Sequence, residues 1–235
     1  MNGASMLSAE NLTIQFGGIA ALADVSFDVV PGQITGLIGP NGAGKTTCFN
    51  CITRLYQPAS GTIIFNGEDI SRVPAHKVLE RGIARTFQNL ELFGSMSVLD
   101  NVRVGARGGA REALEVLDYV GLADVAGRPV RSLSFGARKN VELARALAAK
   151  PKLLMLDEPA AGFGYEEIEV LRDTIKRVRH DFNTTILMVE HQMQLVMGIC
   201  DRIIVLCSGK KLADGDPAAI ASNREVIEAY LGGGC

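Results

Sequence analysis

No stretch of this chain approaches the roughly eighteen consecutive apolar residues of a membrane-spanning helix. Residues 1–8 also lack the charged-then-apolar order of a secretory signal. The chain is therefore expected to begin and end in the cytosol, with any membrane role exerted through a partner. Long lysine or arginine blocks are missing too, and the formal charge is only −2, which leaves no electrostatic footprint for nucleic acid. The one locally basic stretch, 172–180, reads as the wet face of a helix. Cysteine is sparse: of the 5 present, Cys48 and Cys51 form C-x-x-C, but no second close pair answers them. They read as small buried hydrophobes rather than metal ligands. There is no internal repeat and no low-complexity linker. What remains is 235 residues, 47% of them apolar, enough to fill a core without disulfides. One domain with a helical insertion is expected.

The most informative segment is Gly39-Pro40-Asn41-Gly42-Ala43-Gly44-Lys45-Thr46, which fits G-x-x-x-x-G-K-[ST] and is followed by Thr47. It lies between a strand-like run, Ile34–Ile38, and a helix-like run, 47–53. That context makes it a phosphate-binding loop. Its glycines let successive amides, with the positive end of the next helix, point at phosphate oxygens. Lys45 adds a cation over the β- and γ-phosphates, and Thr46 offers a hydroxyl to Mg²⁺.

Two β-like stretches within 7–29 flank Phe16-Gly17-Gly18, a turn signal for antiparallel strands at the edge of the domain. A strand at 61–65 leads into Asn66-Gly67, a hairpin pair. Another strand is expected at 83–87. Between 97 and 130 the pattern turns helical, with Ala113, Val116, Leu117 and Val120 on one face. Thereafter helix and strand alternate: helix 136–149, strand 153–156, helix 166–179, strand Thr185–Val189, helix 192–199 and a closing strand 203–207. Such alternation predicts an α/β fold with a mostly parallel core sheet and helices on both faces. Met193, Leu195, Val196, Met197 and Ile199 read as core packing. The expected division is a core of 1–88 and 133–235, with an N-terminal antiparallel β subdomain, and a helical insertion at about 89–132.

The strand at 153–156 runs into Asp157-Glu158, two carboxylates at the end where open α/β sheets bind ligands. Asp157 would hold Mg²⁺ through water, and Glu158 would accept a proton from a water attacking the γ-phosphate. Gln88, after the strand 83–87, carries a neutral amide that can bind Mg²⁺ or orient water. His191, after the strand Thr185–Val189, is either a polar cap or a sensor of the γ-phosphate. Phe16 is suited to core packing, or to stacking on adenine. Ser134, just ahead of a helix, reads by itself as a cap.

Phe16, the segment from Gly39 to Thr47, Gln88, Leu133-Ser134-Phe135-Gly136, Leu156-Asp157-Glu158-Pro159 and His191 occur together in an order that resembles the ATP-binding subunit of an ABC transporter, a P-loop NTPase. The resemblance covers about 7–232. It implies ATP and Mg²⁺ as cofactors and two such subunits sandwiching two ATP molecules, with Ser134 and Gly136 capping the neighbour's nucleotide. It also implies that Gln88 and the insertion contact transmembrane permease subunits, on the inner face of the membrane. A closer resemblance is to the ATPases of branched-chain amino-acid importers and their relatives for other hydrophobic amino acids, amides or urea, which work with a solute-binding protein and a second, non-identical ATPase. It rests on Phe16-Gly-Gly-Ile-Ala-Ala-Leu22, Phe49-Asn-Cys-Ile-Thr53, Gly82-Ile-Ala-Arg-Thr-Phe-Gln88, Asp157-Glu-Pro-Ala-Ala-Gly162, Leu195-Val-Met-Gly-Ile199 and Ala229-Tyr-Leu-Gly232. The lipopolysaccharide-exporter ATPase is similarly compact and ends alike.

The chain departs from that pattern at Ala137, where Gln or Glu is usual, at Asn140, where Arg is common, and at Phe163-Gly164-Tyr165 in the following loop. The insertion is also short for the importer subunits. Three other classes fit less well. A soluble ABC ATPase acting on DNA or ribosomes predicts coiled-coil insertions, tandem halves or basic patches, and a GTPase needs an Asn-Lys-x-Asp run on a late strand; the sequence has none of these. A non-hydrolysing regulator has no use for Glu158 and His191.

Overall fold

The computed structural model describes residues 5–231; Gly232 of the sequence reading lies outside them. The chain opens with β1 (Leu7–Phe16) and β2 (Ile19–Val29), an antiparallel pair joined at Gly17-Gly18, both at positive φ. Along β1, Leu7 and Ala9, then Leu12 and Ile14, are buried, the alternation of a sheet covered on one side, reset by one residue at Asn11 (φ 52°). β3 (Ile34–Ile38) carries the chain into the phosphate loop and α1 (Lys45–Ile52). β4 (Ser60–Phe65) turns through Asn66 (φ 49°) and Gly67 (φ 79°) into the short β5 (Glu68–Asp69). Positive φ at both central residues is the geometry a tight hairpin demands. These strands make a four-stranded sheet in the order β2-β1-β4-β5.

After α2 (Ala75–Val78) come β6 (Ile83–Arg85), α3 (Val98–Arg103), α4 (Gly109–Tyr119) and α5 (Phe135–Leu147). They are followed by β7 (Leu153–Asp157), α6 (Tyr165–Asp181), β8 (Thr185–Val189), α7 (Met193–Ile199), β9 (Arg202–Cys207), β10 (Lys210–Gly215), α8 (Pro217–Ser222) and α9 (Arg224–Tyr230). The second sheet runs β10-β9-β3-β8-β7-β6, parallel throughout except for the edge strand β10. Every residue of β3, β7 and β8 is buried. Alternate residues serve two cores: Ile34, Leu154, Leu156, Ile186 and Met188 join α5, α6 and α7, while Leu37, Leu153, Met155, Leu187 and Val189 join α1 and the antiparallel sheet. Each such aliphatic side chain contributes about 1.5–3 kcal/mol on burial, so the sheet ends are fixed platforms for whatever they carry.

The expected α/β fold with a parallel core is borne out, with corrections at some ends. The strand expected at 83–87 stops at Arg85, because the amide of Phe87 leaves the sheet to donate to Glu142 at 2.9 Å. The strand at 203–207 does not close the chain: Ser208 (φ 45°) and Gly209 (φ 76°) turn it into β10, and α8 and α9 follow. β10 is polar and lies at a sheet edge, so it carries no apolar run for the eye to find. Phe16 is 45% exposed and packs edge-to-face on Tyr56, 5.3 Å between ring centroids, which overturns core packing. Cys48, Cys51 and Cys200 are free and buried, and the first two lie on α1 among apolar neighbours. Among the described residues no helix is long and apolar enough to cross a membrane, and no cluster of His, Cys, Asp and Glu suits a metal on its own.

Candidate functional site

Between β3 and α1 the backbone takes turns that only glycine makes cheaply. Gly39 has φ 149°, and a Cβ there would lie 2.1 Å from the carbonyl oxygen of Leu206; Gly44 has φ 101°, and its Cβ would lie 2.5 Å from that of Ala21. The loop is thus pressed against β9 and β2 with no room for a side chain. α1 begins at Lys45, two residues earlier than the sequence pattern suggested, so Lys45 and Thr46 occupy its first turn. The Lys45 ammonium donates to the carbonyls of Gly39 at 2.7 Å and Pro40 at 3.0 Å. Burial lowers its pKa, opposed by the nearby charges of Glu158 and Asp157. A cavity of about 200 Å³ opens over the loop, lined by Ala21, Asn41, Gly42, Ala43, Gly44, Lys45, Thr46, Thr47 and Glu158. It combines backbone amides, a cation, hydroxyls and a carboxylate, the groups that bind a polyphosphate and deprotonate a water beside it.

Three neighbouring strand ends feed this site. β7 ends at Asp157, whose carboxylate is 2% exposed; one oxygen pairs with the Arg85 guanidinium at 2.6 Å, and the other is buried with no hydrogen-bond partner. Glu158 follows at φ 48°, a left-handed conformation costing about 1–2 kcal/mol for a residue with a side chain. Its amide donates to the carbonyl of Val189 at the end of β8, 2.9 Å away. Its carboxylate accepts from the Gln88 amide at 2.8 Å and lies 3.9 Å from Nδ1 of His191. Gln88, Glu158 and His191, scattered over the sequence, thus meet at one point.

The other candidates lie elsewhere. Phe16 lines a separate cavity of about 360 Å³ with Ile14, Leu55 and Tyr56. Ser134 caps α5, its hydroxyl accepting from the amide of Ala137 at 3.3 Å, and Gly136 follows in the first turn beside Phe163. Neither Ser134 nor Gly136, the polar and glycine positions of the signature segment Leu133-Ser134-Phe135-Gly136, lines the cavity over Lys45. Gly164 is the cap of α6, its amide donating to Glu167 at 2.8 Å, and Tyr165 is 69% exposed.

Sequence reasoning gave no role to Arg85, Glu190, Lys139 or Tyr56. Arg85 joins the Asp157 pair to Asn50 at 2.7 Å and Thr53 at 3.2 Å, tying β6, β7 and α1 together. A charged residue ending an apolar strand was the available signal. Glu190 directly precedes His191, yet only the folded chain reveals that it is fully buried.

The family model described as ABC transporter matches residues 22–161, and a second, described as branched-chain amino acid ATP-binding cassette transporter, matches 210–235. The chain is 41% identical over 249 aligned positions to the high-affinity branched-chain amino acid transport ATP-binding protein BraF of Pseudomonas aeruginosa, and 40% identical to LivG of Escherichia coli, of the same description. Each match covers 97% of this chain and 98% of the relative. Since 249 positions exceed the 235 residues here, these relatives carry residues that this chain lacks. The lipopolysaccharide export protein LptB of Escherichia coli is 35% identical over 234 positions, covering 96% of this chain and 97% of the relative. Among solved structures, the ADP conformation of an ATP-binding cassette of an ABC transporter superimposes with a TM-score of 0.90 at 29% identity, covering 97% and 99% of the two chains. A dimeric cassette in a post-hydrolysis state, bound to ADP and phosphate, gives 0.80 at 25% identity, covering 90% and 99%. With a complete phosphate loop, a carboxylate facing it and this likeness along nearly its whole length, the chain belongs to the ABC transporter family as one of its nucleotide-binding ATPase subunits.

Proposed function

We propose that this chain hydrolyses Mg-ATP as one of a pair of ATPase subunits beneath a permease, on the cytoplasmic side of the membrane, and powers uptake of branched-chain or related hydrophobic amino acids. The observation that carries the enzymatic part is that Gln88 and His191 converge on the carboxylate of Glu158, which itself lines the cavity over Lys45. Loop amides and Lys45 bind the β- and γ-phosphates, for which Lys45 exchanges its contacts to Gly39 and Pro40. Glu158 takes a proton from the attacking water, Gln88 orients that water, and His191 contacts the γ-phosphate.

The donor set fits Mg²⁺, since Asp157 keeps a buried oxygen without a partner. Thr46 and Gln88, with Asp157 through water, would hold the ion, which when bound offsets phosphate charge. Phe16, exposed beside Tyr56, stacks on adenine. Phe16→Ala should then weaken ATP binding by about 1–3 kcal/mol, roughly 5- to 150-fold. Fluorescent-nucleotide titration reads this directly, and wild-type affinity would remove Phe16 from the site.

Because Ser134 and Gly136 lie away from the chain's own phosphate cavity, a second ATPase subunit supplies the cap. An apolar groove of about 260 Å³ lined by Leu79, Phe87, Phe93 and Val104, close to Gln88, offers the permease a landing place. In it Phe93 is 49% and Val104 56% exposed. Glu91, Phe93, Val104 and Gly105 of its lining fall in the segment read as the helical insertion. The choice of solute rests on BraF and LivG and on the family match at 210–235. Reconstituted with its permease and binding protein, the complex should show ATP-dependent uptake of leucine or a similar solute. ATP-driven uptake of urea alone would revise the solute. A lipopolysaccharide-exporter ATPase is the second reading, favoured by the compact length shared with LptB; ATP-driven release of lipopolysaccharide would select it.

A further inference from the structure

The turn that carries Glu158 is gripped from two sides by groups with no part in binding nucleotide. On one side stands Lys139 of α5, whose ammonium donates to the carbonyls of Glu158 at 3.2 Å and Pro159 at 2.9 Å. It lies 5.4 Å from the Phe135 ring centroid and 5.2 Å from that of Phe163, within cation–π range of both. On the other side is Glu190, fully buried. One of its oxygens accepts from the amide of Ala160 at 2.7 Å, and the other from the amides of His191 at 2.9 Å and Gln192 at 3.1 Å. Burial lowers the pKa of Lys139, and Glu190 is the foremost of the carboxylates that oppose the shift. A cation thus holds the carbonyls of the 158–160 turn while a carboxylate holds its last amide and ties His191 to it. Such a grip explains how Glu158 persists in a left-handed conformation, which lasts only where its surroundings over-determine it.

We propose that Lys139 and Glu190 are positioning residues that hold Glu158 and His191 in register with each other and link that register to the start of α5, where Ser134 and Gly136 lie. The proposal rests on the reading of Glu158 as the base. A signature segment drawn onto a neighbour's nucleotide would pull on α5, and Lys139 delivers that pull to the chain's own hydrolytic carboxylate.

In the full-length chain assembled with its permease, Lys139→Met should lower kcat for ATP hydrolysis about 10- to 100-fold, the scale of a small misplacement of a reacting group. KM for ATP should stay within about twofold, because no nucleotide contact is lost. Lys139→Arg should recover most of the rate, since a guanidinium supplies two donors and stacks on aromatic rings. A kcat within about twofold of wild type in Lys139→Met, or an equal loss in the Arg variant, overturns the proposal. Hydrogen exchange at the amides of Ala160, His191 and Gln192, measured on the full chain without nucleotide, is the second arm. Lys139→Met should speed exchange at Ala160 about tenfold, and Glu190→Gln, which keeps one acceptor oxygen and loses the other, should speed it as much either at Ala160 or at His191 and Gln192; unchanged exchange at all three amides overturns the clamp. This arm does not need hydrolysis, so a wild-type complex without ATPase activity would sink the functional reading while exchange still decides the clamp.

Discussion

Glu158→Gln should bind ATP as the wild type does and hydrolyse it about 10²- to 10⁴-fold more slowly, the usual worth of a positioned general base. The substitution keeps size and shape. A side-chain oxygen remains to accept from Gln88 at 2.8 Å, and the backbone bond to Val189 is untouched. What disappears is the ability to take a proton from water. Phosphate release at saturating ATP measures the loss, and binding of a fluorescent ATP analogue verifies that the loop at 39–46 still forms. An unchanged rate in the assembled complex would remove Glu158 from this role. A parallel loss of binding would mean instead that its carboxylate holds the loop through its attraction to Lys45.

Arg85→Met should cost about 3–5 kcal/mol of stability, the usual consequence of stripping one partner from a buried ion pair. The two side chains are only 6% and 2% exposed and bond at 2.6 Å. Without Arg85 the Asp157 carboxylate would have both oxygens buried and unpaired, since one already lacks a hydrogen-bond partner. Asn50 and Thr53 would lose their donor as well, and the contacts with the Phe49 and Phe87 rings, 5.4 and 5.0 Å from the guanidinium carbon, would be replaced by softer ones. Urea unfolding reads the change as a shift in midpoint at constant slope. The double variant Arg85→Met with Asp157→Asn should recover much of the loss, because the orphaned charge is then absent. A single variant within about 1 kcal/mol of wild type would show that the pair only balances its own desolvation.

Much of the fold could be read from the sequence because its elements announce themselves locally. The apolar runs of β3, β7 and β8 are the mark of strands buried on both faces, and Gly17-Gly18 and Asn66-Gly67 name their own turns. β10 escaped notice because an edge strand needs no apolar run, and β6 ended early because a distant carboxylate, Glu142, takes the amide of Phe87. Among the candidate site residues, the loop glycines, Lys45, Thr46 and the Asp157-Glu158 pair stood out by spacing alone. Gln88 and His191 did not, since a single amide or imidazole at a strand end resembles any polar cap.

By itself the sequence determined the phosphate loop, the α/β alternation and the order of motifs that marks the family, because each depends on residues adjacent in the chain. Only the tertiary structure decided that Gln88, Glu158 and His191 converge, that Arg85 consumes one oxygen of Asp157, and that Ser134 and Gly136 lie outside the cavity their own subunit provides. The physical reason is that parallel strands far apart in sequence end side by side. What meets at those ends is set by sheet order and burial, and no local pattern of residues records either.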